Sequence, residues 1–179
     1  MTTGMTPMPM DPGITVNDDG CSADSLAYCG GVQVSVPAGQ DWPDFVALAV
    51  DRHWVGIERL GGYAGTVGQA TVADVAALGQ RVSDTVAAVR TWDRASGSHR
   101  RFAMVDCGFG AHGSRFSTER LPDGTARYDV LGVEFLFRQG DLTAPIRDPE
   151  LAAALGLAPG ERAPLAAAHR AGRVAGSQT

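Results

Sequence analysis

The sequence predicts an α+β domain in which an antiparallel sheet carries helices packed on it. Several segments alternate apolar and polar residues with the period of two that is typical of strands. Shorter segments combine helix-capping residues with apolar spacings of three and four. With 179 residues and a 44% hydrophobic content, the chain suits one compact domain.

The first predicted strand is followed directly by a helix. Residues 31–36 alternate as a half-buried strand does, and Pro37-Ala38-Gly39 ends this strand. Asp41 can cap the helix that follows, where Pro43 lies in the first turn and costs little. The core face of this helix is predicted to contain Trp42, Phe45 and Ala49.

Residues 56–68 are rich in glycine and precede a second predicted helix, which extends from Thr71 as N-cap to Gly79 as the residue after its end. Glycine reaches positive φ freely and lets the backbone approach a ligand closely. Such a segment can present backbone N–H groups and a helix N-terminus to an anionic or planar ligand. The alternative is a tight connection that needs glycine for geometry only.

The second half of the chain predicts three antiparallel strands and two short helices. The strands cover residues 85–93, 100–105 and 127–138, and the last of them places Leu131, Val133, Phe135 and Phe137 on one face. Asp148 and Pro149 begin a helix that Gly156 ends, and residues 163–170 predict another. We therefore expect a disordered leader (1–12), the α+β domain (13–140), a helical extension (141–171) and a frayed tail (172–179).

Charge and cysteine spacing exclude several classes of function. The net charge of −5 and the lack of a basic cluster argue against nucleic acid or a membrane surface as partner. Neither a signal peptide nor a membrane-spanning apolar run is present, so a cytoplasmic location is expected. The three cysteines, Cys21, Cys29 and Cys107, lack metal-ligand spacing, so we expect reduced thiols and no metal site.

An ordered series of motifs resembles the UDP-N-acetylenolpyruvoylglucosamine reductase family, flavoenzymes of peptidoglycan precursor synthesis. The series comprises Gly-Ile-Glu-x-Leu at 56–60, the glycine loop, Asp-Cys-Gly-Phe-Gly at 106–110 and Ser-Arg-Phe at 114–116. The resemblance covers about residues 13–169. It implies the fold of the second subdomain of a vanillyl-alcohol-oxidase-type FAD-binding domain. The family's Gly-Gly-Gly-Ser-Asn phosphate loop and its acid-bearing substrate domain have no counterpart in this sequence.

Several positions depart from the family pattern. Where the family has Phe-Gly-Tyr-Arg-x-Ser, with an arginine thought to stabilise the enol intermediate, residues 109–114 place His112. The family's Ser-Gly-Ile-Pro-Gly reads Gly-Gly-Tyr-Ala-Gly at 61–65, and the amide of its Pro-x-Gln-Asn becomes the carboxylate of Asp74. A carboxylate near flavin phosphates repels them. These changes predict a chain without a cofactor, with weak FAD binding as the alternative.

The leading hypothesis is a repurposed, flavin-free derivative that binds a small organic molecule. Its cleft is predicted between residues 61–69 and 109–114, with Tyr63, Gln69 and His112 lining one pocket. Any catalysis is assigned to proton transfer through His112, with Ser114 beside it, as in a cofactor-independent cyclase or isomerase of secondary metabolism. The predicted ligand-binding residues are Gly61, Gly62, Tyr63, Gly65, Thr66, Gly68, Gln69, Asp74 and Phe109.

Two alternatives remain open, and the residues do not decide whether the chain is an enzyme. The first alternative is a residual FAD-binding reductase-family protein of peptidoglycan synthesis, completed by a partner or a dimer, and the second is a non-catalytic partner of an intact reductase. Because the family's flanking parts have no counterpart here, apolar surface is expected to be exposed, and a homodimer is predicted to cover it.

Overall fold

The structure is a computed structural model that describes residues 13–17 and 31–176. The predicted leader, Cys21 and Cys29 lie outside the described residues. The strands are β1 (Thr15–Asn17), β2 (Gly31–Pro37), β3 (Trp54–Val55), β4 (Ala76–Ala77), β5 (Gln80–Arg81), β6 (Val86–Asp93), β7 (Ser98–Ala103) and β8 (Tyr128–Gln139). The α-helices are α1 (Trp42–Asp51), α2 (Val67–Ala73), α3 (Arg115–Thr118), α4 (Pro149–Leu155) and α5 (Leu165–Gly176).

An antiparallel sheet in the order β1-β2-β8-β6-β7 forms the centre, so the predicted α+β class is confirmed. Strand β8 is its longest member at 12 residues and pairs with β2, β6 and β3. Val133, Phe135 and Phe137 on β8 face the core as predicted, but Leu131 is 42% exposed. The register of β6 against β8 shifts between Arg90 and Thr91, next to this position, and the shift breaks the alternation.

Helix α1 packs on the sheet with the residues that its spacing predicts. Asp41 caps it by accepting a hydrogen bond from the Asp44 N–H at 3.0 Å. Trp42, Phe45 and Ala49 are fully buried, and each large side chain contributes about 1.5–3 kcal/mol of burial free energy. The Trp42 indole N–H also donates to the Leu60 carbonyl at 2.8 Å, which fixes the start of the glycine segment on α1.

The second helix begins earlier than predicted. Helix α2 is capped by Thr66, whose hydroxyl accepts from the Gln69 N–H at 3.2 Å while the Gln69 side chain accepts from the Thr66 N–H at 2.9 Å. Asp74 ends the helix in the left-handed conformation, with φ of 48°. Gly79 does not follow a helix but lies in the tight turn between β4 and β5. The capping box of Thr66 and Gln69, rather than Thr71, marks the start of α2.

Helix α5 continues to Gly176, so the prediction of a frayed chain from residue 172 is wrong for 172–176. The reason is close packing on the 3₁₀ turn Glu58–Leu60 and the glycine pair that follows it. A Cβ on Gly172 would lie 2.7 Å from the Arg59 carbonyl carbon, and one on Gly62 would lie 2.6 Å from the Gly172 oxygen. Glycine alone permits this approach. No helix among the described residues is long and apolar enough to cross a membrane.

The hairpin of β6 and β7 is closed by a buried carboxylate. Asp93 has no exposed surface, and it accepts hydrogen bonds from Arg127 Nε and Nη2, both at 3.1 Å, and from the Ala95 N–H at 3.0 Å. Arg100 Nε lies 3.3 Å from the same carboxylate. The Arg127 hydrogen bonds outweigh burial and lower the pKa of Asp93 from 3.8 to about 2. The carboxylate therefore stays ionised in the fold.

The depressed pKa of Asp93 predicts acid-dependent stability. Because the pKa is lower in the folded chain than in the unfolded chain, its contribution is fully present above about pH 4 and is lost as pH falls from 3.8 towards about 2. We expect Asp93→Asn to unfold at lower urea than the wild type at pH 7, and the difference to shrink at pH 3. A difference that stays constant across this range would contradict the ion-pair account.

The close contact of Gly172 with Arg59 predicts that an alanine at position 172 destabilises the fold, whereas an alanine at position 110 does not. Gly172→Ala places a Cβ against the main chain of Arg59, and we expect the free energy of unfolding to fall by about 1–3 kcal/mol. Gly110→Ala is the matched control, because a Cβ there meets nothing within 4 Å, and its effect should remain within about 0.5 kcal/mol. Equal effects in urea denaturation would show that α5 does not depend on this contact.

Candidate functional site

The glycine segment was expected to offer backbone N–H groups to an anion, and the structure corrects that expectation. At the start of α2 the Val67 N–H donates to the Gln40 carbonyl at 2.8 Å, and the Gly68 N–H donates to the Ala38 carbonyl at 2.9 Å. The N–H groups of Thr66 and Gln69 are satisfied by the capping box. These four donors are therefore not available for a phosphate.

The glycines serve close packing instead. A Cβ on Gly61 would lie 2.8 Å from the His169 ring, and Gly62 lies against the main chain of α5. Gly65 has φ of +157°, and a Cβ there would lie 2.9 Å from the Tyr63 ring. The Gly65 carbonyl accepts from the Trp42 N–H at 2.8 Å. Gly61, Gly62 and Gly65 are therefore explained by the alternative interpretation, in which glycine is needed for a tight connection rather than for binding a ligand.

A cleft of about 660 Å³ lies between the start of α2 and the beginning of β8. Four of the predicted ligand-binding residues line it: Tyr63, Thr66, Gly68 and Gln69. The other lining residues are Ala38, Gly39, Ala64, Val72, Tyr128, Asp129 and Val130. Apolar walls with a few polar groups are typical of a small-ligand site.

The polar groups in this cleft are already oriented by neighbours. The Tyr128 hydroxyl donates to Glu119 Oε2 at 3.1 Å, and burial together with that hydrogen bond raises the pKa of Tyr128, so the phenol stays protonated. Asp129 accepts from Arg94 Nε at 2.8 Å and Nη2 at 2.7 Å. Among residues 13–17 and 31–176, no lysine or arginine lines the cleft. Its chemistry suits an uncharged planar group better than a phosphate.

His112 and Ser114 do not form a catalytic pair in this structure. The His112 side chain is exposed and does not line the cleft, so the prediction that it shares a pocket with Tyr63 and Gln69 is wrong. Ser114 is buried, and its hydroxyl donates to the Val72 carbonyl at 2.8 Å. Ser114 also caps the short helix α3. Its hydroxyl therefore ties the loop to α2.

Asp74 and Phe109 also lie outside the cleft. The Asp74 carboxylate is buried, and it accepts from the Ser83 N–H at 3.0 Å and from Arg81 Nη1 at 3.1 Å. It therefore holds the β4–β5 region rather than a ligand. Phe109 is partly buried against the main core. The change from the family's amide to a carboxylate is explained here by a local ion pair.

The sequence analysis did not predict that β8 and the residues after β2 line part of the cleft. The Ala38 N–H donates to the Leu131 carbonyl at 3.0 Å, and its own carbonyl accepts from Gly68. Ala38 thus joins β8 to α2, and Tyr128 and Val130 line the same cleft as Tyr63. The break of alternation at Val130 and Leu131 was the available signal, because such breaks often accompany sites.

Whether the described residues fit FAD depends on which part of the cofactor is considered. Tyr63, Val72, Tyr128 and Val130 give the cleft aromatic and apolar surface of the kind that a planar ring can contact. The described residues offer no cation in the cleft and no free N–H group among the four at the start of α2 for the pyrophosphate. They also hold no group of three or more metal-ligating side chains. The fit is therefore to the ring and not to the phosphates.

No family model matches the chain, but comparison with known proteins identifies several relatives that share one name. The UDP-N-acetylenolpyruvoylglucosamine reductase of Cutibacterium acnes is 44% identical over 149 residues, which are 83% of this chain and 38% of that protein. The Salinispora arenicola protein of the same name is 39% identical over 140 residues, 78% of this chain and 37% of its own length. The chain therefore spans well under half of these relatives.

A solved structure of the same name, from Thermus caldophilus, is 25% identical with a TM-score of 0.49, over 59% of this chain and 36% of that one. The relatives correct the expectation that no cofactor is involved, because a reductase transfers electrons through a redox carrier and the resemblance implies FAD. They also give no support to a cyclase or isomerase of secondary metabolism. The chain is a partial homologue of the UDP-N-acetylenolpyruvoylglucosamine reductases, matching little more than a third of their length.

Proposed function

We propose that this chain is the part of an FAD-dependent UDP-N-acetylenolpyruvoylglucosamine reductase that contacts the flavin ring. The observation that carries the proposal is the cleft of about 660 Å³, whose walls suit a planar ring and offer no cation to a phosphate. The 44% identity to the Cutibacterium acnes reductase supports the same assignment. Cytoplasmic peptidoglycan precursor synthesis is the role that this relationship suggests.

Within this proposal, each part of the cleft has a distinct task. Tyr63, Val72, Tyr128 and Val130 supply its larger apolar and aromatic lining side chains. These side chains exclude water from one side of a planar ligand, and the protonated Tyr128 hydroxyl remains fixed on Glu119. Bound flavin would supply the hydride chemistry. Polypeptide outside the matched region of the relatives would bind the pyrophosphate and supply the acid, as the family resemblance implies.

Although the His112 side chain lies outside the cleft in this chain, we propose that its replacement of the family's arginine lowers turnover in a completed reductase. His112 occupies the position of the family's arginine on an exposed loop. A guanidinium is always charged and binds a carboxylate through two parallel hydrogen bonds, whereas an imidazole is titratable and offers one. The chain is therefore proposed to retain the ring contact while stabilising the enol intermediate poorly.

The ring-only fit predicts that phosphates add nothing to binding by this chain alone. We expect riboflavin and FAD to bind with dissociation constants equal within about threefold, both on the order of 100 μM, when followed by flavin fluorescence. Tyr63→Ala should weaken both by about threefold to tenfold through lost aromatic contact. Val105→Ala is the control, because Val105 is 80% exposed and does not line the cleft.

Two results of this titration would contradict the proposal. FAD binding tenfold tighter than riboflavin would reveal a phosphate site within the chain. Equal affinities in wild type and Tyr63→Ala, or no binding of either flavin at about 1 mM, would remove the cleft as the ring site.

A chimera tests the proposed reductase directly. The matched 149-residue region of the Cutibacterium acnes enzyme is replaced by the corresponding residues of this chain, and flavin content and NADPH oxidation with UDP-N-acetylenolpyruvoylglucosamine are measured. We expect the chimera to retain FAD and to lose about 10²–10³-fold in kcat, because one charge-stabilising donor is absent. His112→Arg in the chimera should recover at least about tenfold.

The parent enzyme and its own arginine-to-histidine variant are the controls for this chimera. A folded chimera that retains no flavin would overturn the ring-contact assignment. A chimera with FAD and parental kcat would leave that assignment in place and overturn the role given to His112.

A further inference from the structure

We propose that a cavity lined by Arg59, Gln80 and Arg138 binds a small oxyanion, supplied either as free phosphate or as the carboxylate of a small organic acid. The cavity has a volume of about 330 Å³, and residues of β3, β5, β8 and the loop after β8 line it. It shares no lining residue with the flavin-ring cleft, so the two sites can be tested separately.

The buried guanidinium of Arg59 borders this cavity. Arg59 is 4% exposed, and its Nη1 and Nη2 atoms donate to the carbonyls of Leu78 at 3.1 Å and Ala144 at 3.4 Å. Ala144 lines the cavity, as does Gly79, where a Cβ would lie 3.7 Å from Arg59 Nη1. In the described part of the chain its one ion-pair contact is with Glu58, at 4.0 Å and without a hydrogen bond. A buried cation paired this loosely favours a further anionic acceptor.

Two more donors line the same cavity. Gln80 is 7% exposed, and its Oε1 accepts from the Arg59 N–H at 2.9 Å, which leaves the amide Nε2 as a donor. Among residues 13–17 and 31–176, neither Gln80 Nε2 nor the Arg138 guanidinium has a hydrogen-bond or ion-pair partner. Guanidinium and amide N–H groups converging on one cavity call for a ligand whose oxygens accept.

Asp84 limits the charge of the ligand. It is the one acidic residue that the described chain contributes to the cavity lining, and its Oδ2 already accepts from the Arg81 N–H at 2.9 Å. Two guanidinium groups face one carboxylate there, so a small anion is favoured, while Asp84 repels it and weakens its binding. Removing this single charge should therefore strengthen binding.

Calorimetric titration of the whole chain with sodium phosphate, and separately with sodium acetate, tests the proposal at pH 7 and constant ionic strength. We expect at least one of the two anions to bind with a Kd on the order of 1 mM. Binding of phosphate alone assigns the site to a tetrahedral oxyanion, and binding of acetate assigns it to carboxylates as well. Asp84→Asn retains an acceptor for the Arg81 N–H and should tighten binding by about threefold to tenfold.

Two further variants remove the proposed donors. Gln80→Glu keeps the acceptor for the Arg59 N–H but replaces the amide donor with a carboxylate oxygen, and should weaken binding at least about tenfold. Arg138→Gln should weaken it at least about fivefold. Arg90→Gln is the matched control, because Arg90 is an exposed arginine of β6 that does not line the cavity, and it should leave binding unchanged.

Circular dichroism shows whether each variant is folded, and Asp84→Asn and Arg138→Gln keep the test decisive if Gln80→Glu does not fold. A wild type that binds neither anion at about 20 mM would overturn the proposal and leave the cavity to water. Binding that is unchanged in Arg138→Gln, or weakened in Asp84→Asn, would place the anion elsewhere and overturn it equally.

Discussion

The contact between the turn at Glu58–Gly62 and helix α5 is the constraint on which both the cleft at the start of α2 and the groove between α4 and α5 depend. Main-chain atoms meet there without intervening side chains, because Gly62, Gly172 and Gly176 lie where any Cβ would overlap. This turn is also fixed from the other side by the Trp42 indole, which donates to the Leu60 carbonyl. Tyr63, which follows this turn, lines the cleft at the start of α2, and residues of α4 and α5 line a separate apolar groove.

Buried charge fixes the same turn from within. Glu58 is fully buried, and one carboxylate oxygen accepts from the Gly56 N–H at 2.7 Å. Arg59 is 4% exposed and donates to the carbonyls of Leu78 and Ala144. Glu58 Oε1 and Arg59 Nε lie 4.0 Å apart. The turn is therefore held by the hydrogen bonds of Glu58 Oε2 and of the two Arg59 Nη atoms, whereas Glu58 Oε1 and Arg59 Nε are buried without a hydrogen-bond partner among the described residues.

The sequence predicted regular elements well where one local signal dominated. Asp41 with Pro43 specified α1, and the alternation of β2, β6 and β8 specified an antiparallel sheet. It failed where two signals competed. Thr71 and Gly79 suggested a helix, but the capping box of Thr66 and Gln69 started α2 earlier, and Asp74 adopted the left-handed conformation that ended it.

The candidate site was less predictable because it depends on contacts between distant segments. Tyr63 and Gln69 were found from the glycine segment, whereas Tyr128 and Val130 reach the cleft only through the pairing of β8 with β2. His112 was placed in the site by its position in a motif, but that position does not bring its side chain into the cleft. Glycines permit close approach of backbone to either a ligand or another helix, and composition cannot distinguish the two. In this chain, helix α5 takes the place that a ligand was expected to have.

A cofactor whose ring and phosphates contact separate parts of a protein binds tightly only when those parts are held together, since the second contact then becomes intramolecular. In the proposed reductase, the fixed turn between α1 and α5 would supply that geometry for the ring, so the weak affinity proposed for this cleft alone is compatible with a strong contribution there.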